Sequence, residues 1–171
     1  MNAKSILAFA VFIIGFGLSA SCQSDYRLPC LYIHKFSQHI KWPEAVETKE
    51  IVIGVYGISP IIPALEEFFK ARSKGTIKYS IRKITTADGA AECDILFVTK
   101  ERLSGFEKLV ADLKGKSILI MSEVPGLGKK GACVNFLYGS GNDMKVEISK
   151  HCIESRGLKI STEALKFGTE I

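Results

Sequence analysis

The sequence predicts an α/β fold: a three-layer α/β/α sandwich whose mostly parallel, flavodoxin-like sheet ends in a C-terminal antiparallel edge hairpin. Three observations carry this. The short apolar runs IVIGVY (51–56), DILFVT (94–99) and SILIM (117–121) have the β-branched make-up of strands buried on both faces. Segments with helical apolar spacing lie between such runs, and that alternation argues for a parallel sheet covered on both sides. The runs 132–138 and 144–148 are then joined by the turn residues Gly139, Ser140, Gly141, Asn142 and Asp143. They read as a hairpin, so the last strand should run antiparallel on the edge.

Taken in order, residues 27–40 place Leu28, Leu31, Ile33, Phe36 and Ile40 at roughly helical spacing. Trp42-Pro43 ends that helix, because Pro43 disfavours helical geometry at Trp42. After strand 51–56, residues 57–60 turn the chain and 61–71 form a helix with Leu65, Phe68 and Phe69 inward. Residues 76–84 alternate, with Ile77, Tyr79 and Ile81 against Lys78, Ser80 and Arg82. One wet face puts that strand near an edge. Strand 94–99 precedes an amphipathic helix over 103–113. Strand 117–121 and the hairpin follow, then short helices over 149–155 and 161–166, the second capped by Ser161 or Thr162.

The 171 residues favour one domain, large enough to bury a core without disulfides. A hydrophobic share of 47% and a charged share of 24% exclude a disordered body. The net charge of +5 comes from scattered lysines and arginines, not the clustered patch expected of a nucleic-acid binder. Residues 1–22 differ from the rest. Lys4 precedes an apolar run over 6–18, short for a membrane span and right for a signal peptide. Ser19, Ala20, Ser21 and Cys22 follow. Two routes stay open: ordinary cleavage after Ser21 or Cys22, or lipidation of Cys22 as the new first residue. Both make the chain periplasmic and disulfides admissible, with residues 23–171 as the folded domain and a lipid on Cys22 as its one link to the membrane.

Gly126, Gly128 and Gly131 have the G-x-G-x-x-G spacing of a dinucleotide loop. Such a loop must run from a strand into a helix, where the pyrophosphate sits. Here strand-like runs lie on both sides, so the glycines read as turn residues. No catalytic set emerges elsewhere. His34 and His39 are five apart and face different ways, which removes the zinc-helix pair. Neither Ser59 nor Ser122 stands in a nucleophile elbow. No metal or cofactor is expected. With Tyr138 taken opposite Asp143, Cys133 falls opposite Ile148, and Cys152 lies one helical turn beyond. That layout permits a Cys133–Cys152 bridge; Cys30 and Cys93 read as buried thiols.

The chain resembles the YfiR-like (HmsC-like) family of exported bacterial proteins. The resemblance runs from YRLPCLYIHKFSQHIKWPE through IVIGVYG and ECDILFVTKE to ILIMSEVPGLGKKGACVNFLYGSGNDMKVEIS and GLKISTEALKF. It implies a non-enzymatic regulator that binds the exported domain of an inner-membrane diguanylate cyclase or sensor kinase, restraining cyclic-di-GMP signalling and biofilm formation. A homodimer is a further association it leaves open. The first helix would offer Tyr32, Phe36 and Trp42 as aromatic anchors, with packing onto the sheet as the alternative for Phe36 and Trp42. A second function class is a small-ligand-binding module. Its crevice would lie at the carboxyl ends of the strands, lined by Ser59, Lys100, Glu101, Ser122 and Glu123.

Overall fold

The computed structural model describes residues 26–43, 50–73, 77–139 and 143–171. The expected signal segment 1–22, Cys22 within it, and the middle of the hairpin turn lie outside the described residues. The elements are α1 (Arg27–His39), β1 (Ile40–Lys41), β2 (Glu50–Tyr56), α2 (Ile61–Lys70), β3 (Lys78–Ile84), α3 (Ala87–Ala91), β4 (Ile95–Val98), a 3-10 turn (Lys100–Gly105), α4 (Phe106–Asp112), β5 (Leu119–Ser122), a second 3-10 turn (Leu127–Lys130), β6 (Val134–Tyr138), β7 (Met144–Ile148), α5 (Lys150–Ser155), β8 (Lys159–Ile160), α6 (Thr162–Leu165) and β9 (Thr169–Glu170).

Seven strands form the main sheet in the order β3-β2-β4-β5-β6-β7-β9. Its parallel block, β2 to β6, has the flavodoxin-like order 2-1-3-4-5. The central strands are apolar on successive residues because helices cover both faces. Ile53, Val55, Ile95, Phe97, Leu119, Met121 and Phe136 belong to the cluster under α1, α2, α5 and α6. Leu96, Val98 and Ile120 belong to the opposite cluster, with Ala90, Phe106, Leu109 and Leu113 from α3 and α4. The wet-faced β3 lies at the edge, as its alternation predicts.

The other edge differs from expectation. β7 pairs antiparallel with β6, but β9 adds to its far side in parallel, so the hairpin is not the rim of the sheet. The hairpin register is also displaced by one residue: Tyr138 faces Met144, and Val134 faces Ile148. The expected register would have set buried Phe136 against Lys145. The observed one sets it against Val146 on the core face, and a one-residue slip reverses every side chain. The expected helix over 103–113 is split, since Arg102 (φ −104°, ψ 15°) and Gly105 (φ −104°, ψ 4°) leave helical geometry. Only Phe106–Asp112 is α-helical; the residues before it form the first 3-10 turn. Gly126 (φ 84°) and Gly131 (φ 113°) bracket the second 3-10 turn, which carries the chain from β5 to its parallel neighbour β6.

α1 stops at His39, one residue early, because Ile40 turns extended and pairs with Ile160 in a separate two-stranded sheet. α3 was not foreseen. It is a single turn begun by Thr86, whose hydroxyl accepts from the Gly89 N–H at 3.2 Å. Ser149 and Ser161 cap α5 and α6 in the same way.

Candidate functional site

In an open α/β sheet the natural site lies beyond the carboxyl ends of the strands, where the order reverses. Here that point falls between β2 and β4. The turns after β2, β4 and β5 do meet there. The Ile58 N–H donates to Glu101 Oε2 at 3.1 Å. The Ser59 hydroxyl donates to Tyr26 Oη at 3.4 Å. Tyr26 hydrogen-bonds in turn to the Glu123 carboxylate, which also accepts from the Lys100 backbone N–H. Ser122 Oγ is turned into the fold, donating to Val98 O at 3.3 Å and accepting from the Val124 N–H at 3.1 Å. Of the five polar residues expected to line a crevice, Ser59, Lys100, Glu101 and Glu123 therefore come together, and Ser122 serves the backbone.

Tyr26 is the residue that sequence reasoning missed. It stands just before α1 and enters this cluster, so the polar groups face one another and not an open cleft. Ser59 and Glu123 are buried. Burial pushes the Glu123 carboxyl above its ordinary value, while the Lys100 charge and the bonds from Tyr26 and the Lys100 N–H pull against that shift. The cluster fastens α1 to three strand ends through one buried carboxylate.

Around this latch the surface is apolar. Among the described residues, the large hydrophobic side chains left exposed are Leu28, Ile58, Leu103, Tyr138 and Ile171. All but Ile171 lie at the carboxyl end of the parallel block, on the first turn of α1 and after β2, β4 and β6. Ile58, 65% exposed, is held out by Gly57, whose φ of 116° suits glycine and where a Cβ would run into Thr99 Oγ1. Beside Leu103 a groove of about 200 Å³ lies between the two 3-10 turns, over a floor of buried Phe106 and Leu127. Glu107 and Lys130 form an ion pair of 3.0 Å at it. No periodicity marks Ile58 or Leu103, since each is a single apolar residue in a non-repeating segment.

The aromatic residues expected as anchors on α1 are placed differently. Phe36 and Trp42 are 0% and 8% exposed and belong to the core. The physical reason is the C-terminal segment. Phe167 lies over α1, its ring 5.7 Å from Phe36 and 6.5 Å from Tyr32. Tyr32 stays half-buried, also against Phe136. Cys133 and Cys152 form a disulfide with Cα atoms 5.1 Å apart, joining the approach to β6 to α5. The bridge survives the register displacement because Cys133 is then opposite Ser149, whose N–H donates to its carbonyl at 2.8 Å. Cys30 and Cys93 are buried thiols, and burial pushes Cys93 up to about 11. His34 sits among Phe68, Phe69 and Tyr79, while His39 meets Ser161 and Phe167. Among the described residues no three metal-ligating side chains converge, and no helix is long and apolar enough to cross a membrane.

No curated protein matches the chain. Among solved structures, a conserved domain protein from Vibrio cholerae O1 biovar El Tor superposes with a TM-score of 0.57 at 12% identity, over 86% of this chain and 60% of its own. An ABC domain from Streptococcus pneumonia, solved in complex with L-Trp, gives 0.52 at 14% identity, over 71% of this chain and 54% of its own. The chain thus spans less than two thirds of either structure, and at these identities the likeness is one of fold. Residues 26–169 match the family model described as YfiR/HmsC-like. The chain belongs to the YfiR/HmsC-like family, known generally as periplasmic regulators of cyclic-di-GMP signalling and not as catalysts.

Proposed function

We propose that this protein is an exported periplasmic regulator that binds and modulates a membrane-bound signalling protein, either a diguanylate cyclase or a sensor kinase. The family match over nearly the whole folded body carries the reading. Two further observations support it. The Cys133–Cys152 bridge suits an oxidising compartment. The polar groups of the switch-point crevice bond to Tyr26 and to one another, which weighs against the competing small-ligand module.

The test has two arms. The purified exported domain of a diguanylate cyclase or sensor kinase from the same cell should be retained by the tagged protein. Deleting the chain should change cellular cyclic-di-GMP or the kinase output. Absence of both effects, together with saturable binding of a small metabolite in calorimetry, would sink the regulatory reading in favour of ligand binding.

A further inference from the structure

We infer that the partner docks on the carboxyl rim of the sheet, placing an apolar side chain in the groove between the two 3-10 turns and carboxylates against the cations around it. This rests on the regulatory reading and gives that partner a surface and a chemistry. Three independent features converge on the rim. Ile58 and Leu103 are 65% and 49% exposed, costly placements for isoleucine and leucine unless something covers them. They stand on one surface, because Glu101, two residues before Leu103, accepts the Ile58 N–H. The groove beside Leu103 offers about 200 Å³ over Phe106 and Leu127, room for one branched or aromatic side chain.

The charges select the partner. Lys100, Arg102, Lys129 and Lys130 surround the rim and groove. Against them stand Glu101, taken up by the Ile58 N–H, and Glu107, paired with Lys130. Glu123 is buried beneath. The surplus is positive, so the complementary surface is acidic. A phospholipid surface would also offer negative charge and accept protruding Ile58. It makes no use of a recess, however, and the groove with its buried floor therefore favours a protein domain over a bilayer. The rim is also stiff. Gly57 and Thr99 fix the turn carrying Ile58, and the Arg102 guanidinium lies over the Tyr56 ring, 5.1 Å from its centroid. A prearranged surface loses little freedom on binding.

The experiment titrates the full-length exported protein with the purified exported domain of a diguanylate cyclase or sensor kinase from the same cell. The wild type is compared with Ile58→Asp, Leu103→Asp, the groove-filling Ser104→Trp, and the distant control Lys145→Glu on β7. Circular dichroism and melting temperature confirm that each variant folds. The expected result is at least a tenfold loss of affinity in each of the three rim variants, none in the control, and weaker wild-type binding as salt rises. If the wild type binds and the rim variants bind equally well, the rim is overturned while the regulatory reading stands. If the wild type binds no exported signalling domain, the regulatory reading fails and the rim proposal falls with it. Two further results would overturn a protein partner at this face. One is rim variants that keep the exported domain but lose co-sedimentation with phosphatidylglycerol vesicles. The other is variants that keep the domain but lose a self-associated form in light scattering.

Discussion

The two faces of the sheet are built from different side chains. Under α1, α2, α5 and α6 lie Phe36, Phe69, Phe97 and Phe136, all essentially fully buried, with Tyr32, Tyr79 and Phe167 packed beside them. Under α3 and α4 the fully buried phenylalanine is Phe106, among leucines, isoleucines and alanines. Rings meet edge-on or tilted across the first face, from Phe97 and Phe136 to His34, Phe69 and Tyr79. Such a face seals, because large flat groups fill space between helices and hold one another's orientation. The aliphatic face is covered by one five-residue and one seven-residue helix. Beside α4 it leaves the groove between the 3-10 turns open. The more aromatic face thus provides the stability, and the thinner one borders the surface where a partner can reach the fold.

The largest test of this contrast is Phe136→Ala. It should cost about 3–5 kcal/mol in urea unfolding, against roughly 2–3 kcal/mol for Leu109→Ala on the aliphatic face. Equal losses would remove the asymmetry. Next comes the bridge. Replacing Cys133 and Cys152 by serine should cost about 3 kcal/mol, the loop-closure value for this separation. Reducing the wild type should lower its melting temperature by a similar step, and an unchanged midpoint would mean that the bridge adds nothing to the packed α5 face.

The pH responses should have opposite signs in the two regions. Burial, and then Arg72, hold His34 below its ordinary value, so the folded state keeps it neutral. Its contribution is full above about pH 6.5 and is lost as pH falls through the folded value. Unfolding free energy should drop on acidification in that range, and His34→Gln should flatten the slope. Glu123 at the rim works the other way: its raised value means the folded state binds the proton more readily. Stability should rise as pH falls through that value toward the ordinary 4.5. Glu123→Gln should abolish that component, and an unaltered profile would mean that its carboxylate is solvated. The smallest effect is expected from Ile58→Asp, within about 0.5 kcal/mol of the wild type, as for other surface changes. A larger loss would make Ile58 part of the core and not of the open rim.

Much of the sheet was legible because burial on both faces writes itself as continuous apolar runs at β2, β4 and β5. The edge position of β3 was legible from its alternation. What stayed hidden has short or distant causes. β1, β8 and β9 are two residues each, too brief for any period. The hairpin register turned on whether Phe136 meets Lys145 or Val146, which the turn composition alone does not decide. The burial of Phe36 depends on Phe167 arriving from the far end of the sequence, so helical spacing could identify an apolar stripe without saying what covers it. At the site, the strand-end positions of Ser59, Lys100, Glu101 and Glu123 could be read from topology. Tyr26 could not, because a tyrosine before a helix has no pattern that directs it to a carboxylate beyond β5.

The small sheet of β1 and β8 has a dynamic consequence. It ties the end of α1 to the segment before α6 through two residue pairs, helped by a His39–Ser161 contact of 3.0 Å across a sequence separation of 122. So few bonds make it the natural place for sub-global opening, well below the free energy needed to unfold the molecule. Once it opens, α6 and Phe167 can swing from α1, and Phe36 and Tyr32 lose their lid. Amide hydrogens at Ile160 and Ser161 should therefore exchange with solvent far sooner than those of Phe136. The aromatic helix face is then a concealed surface whose exposure is set by the opening equilibrium of one two-stranded clasp.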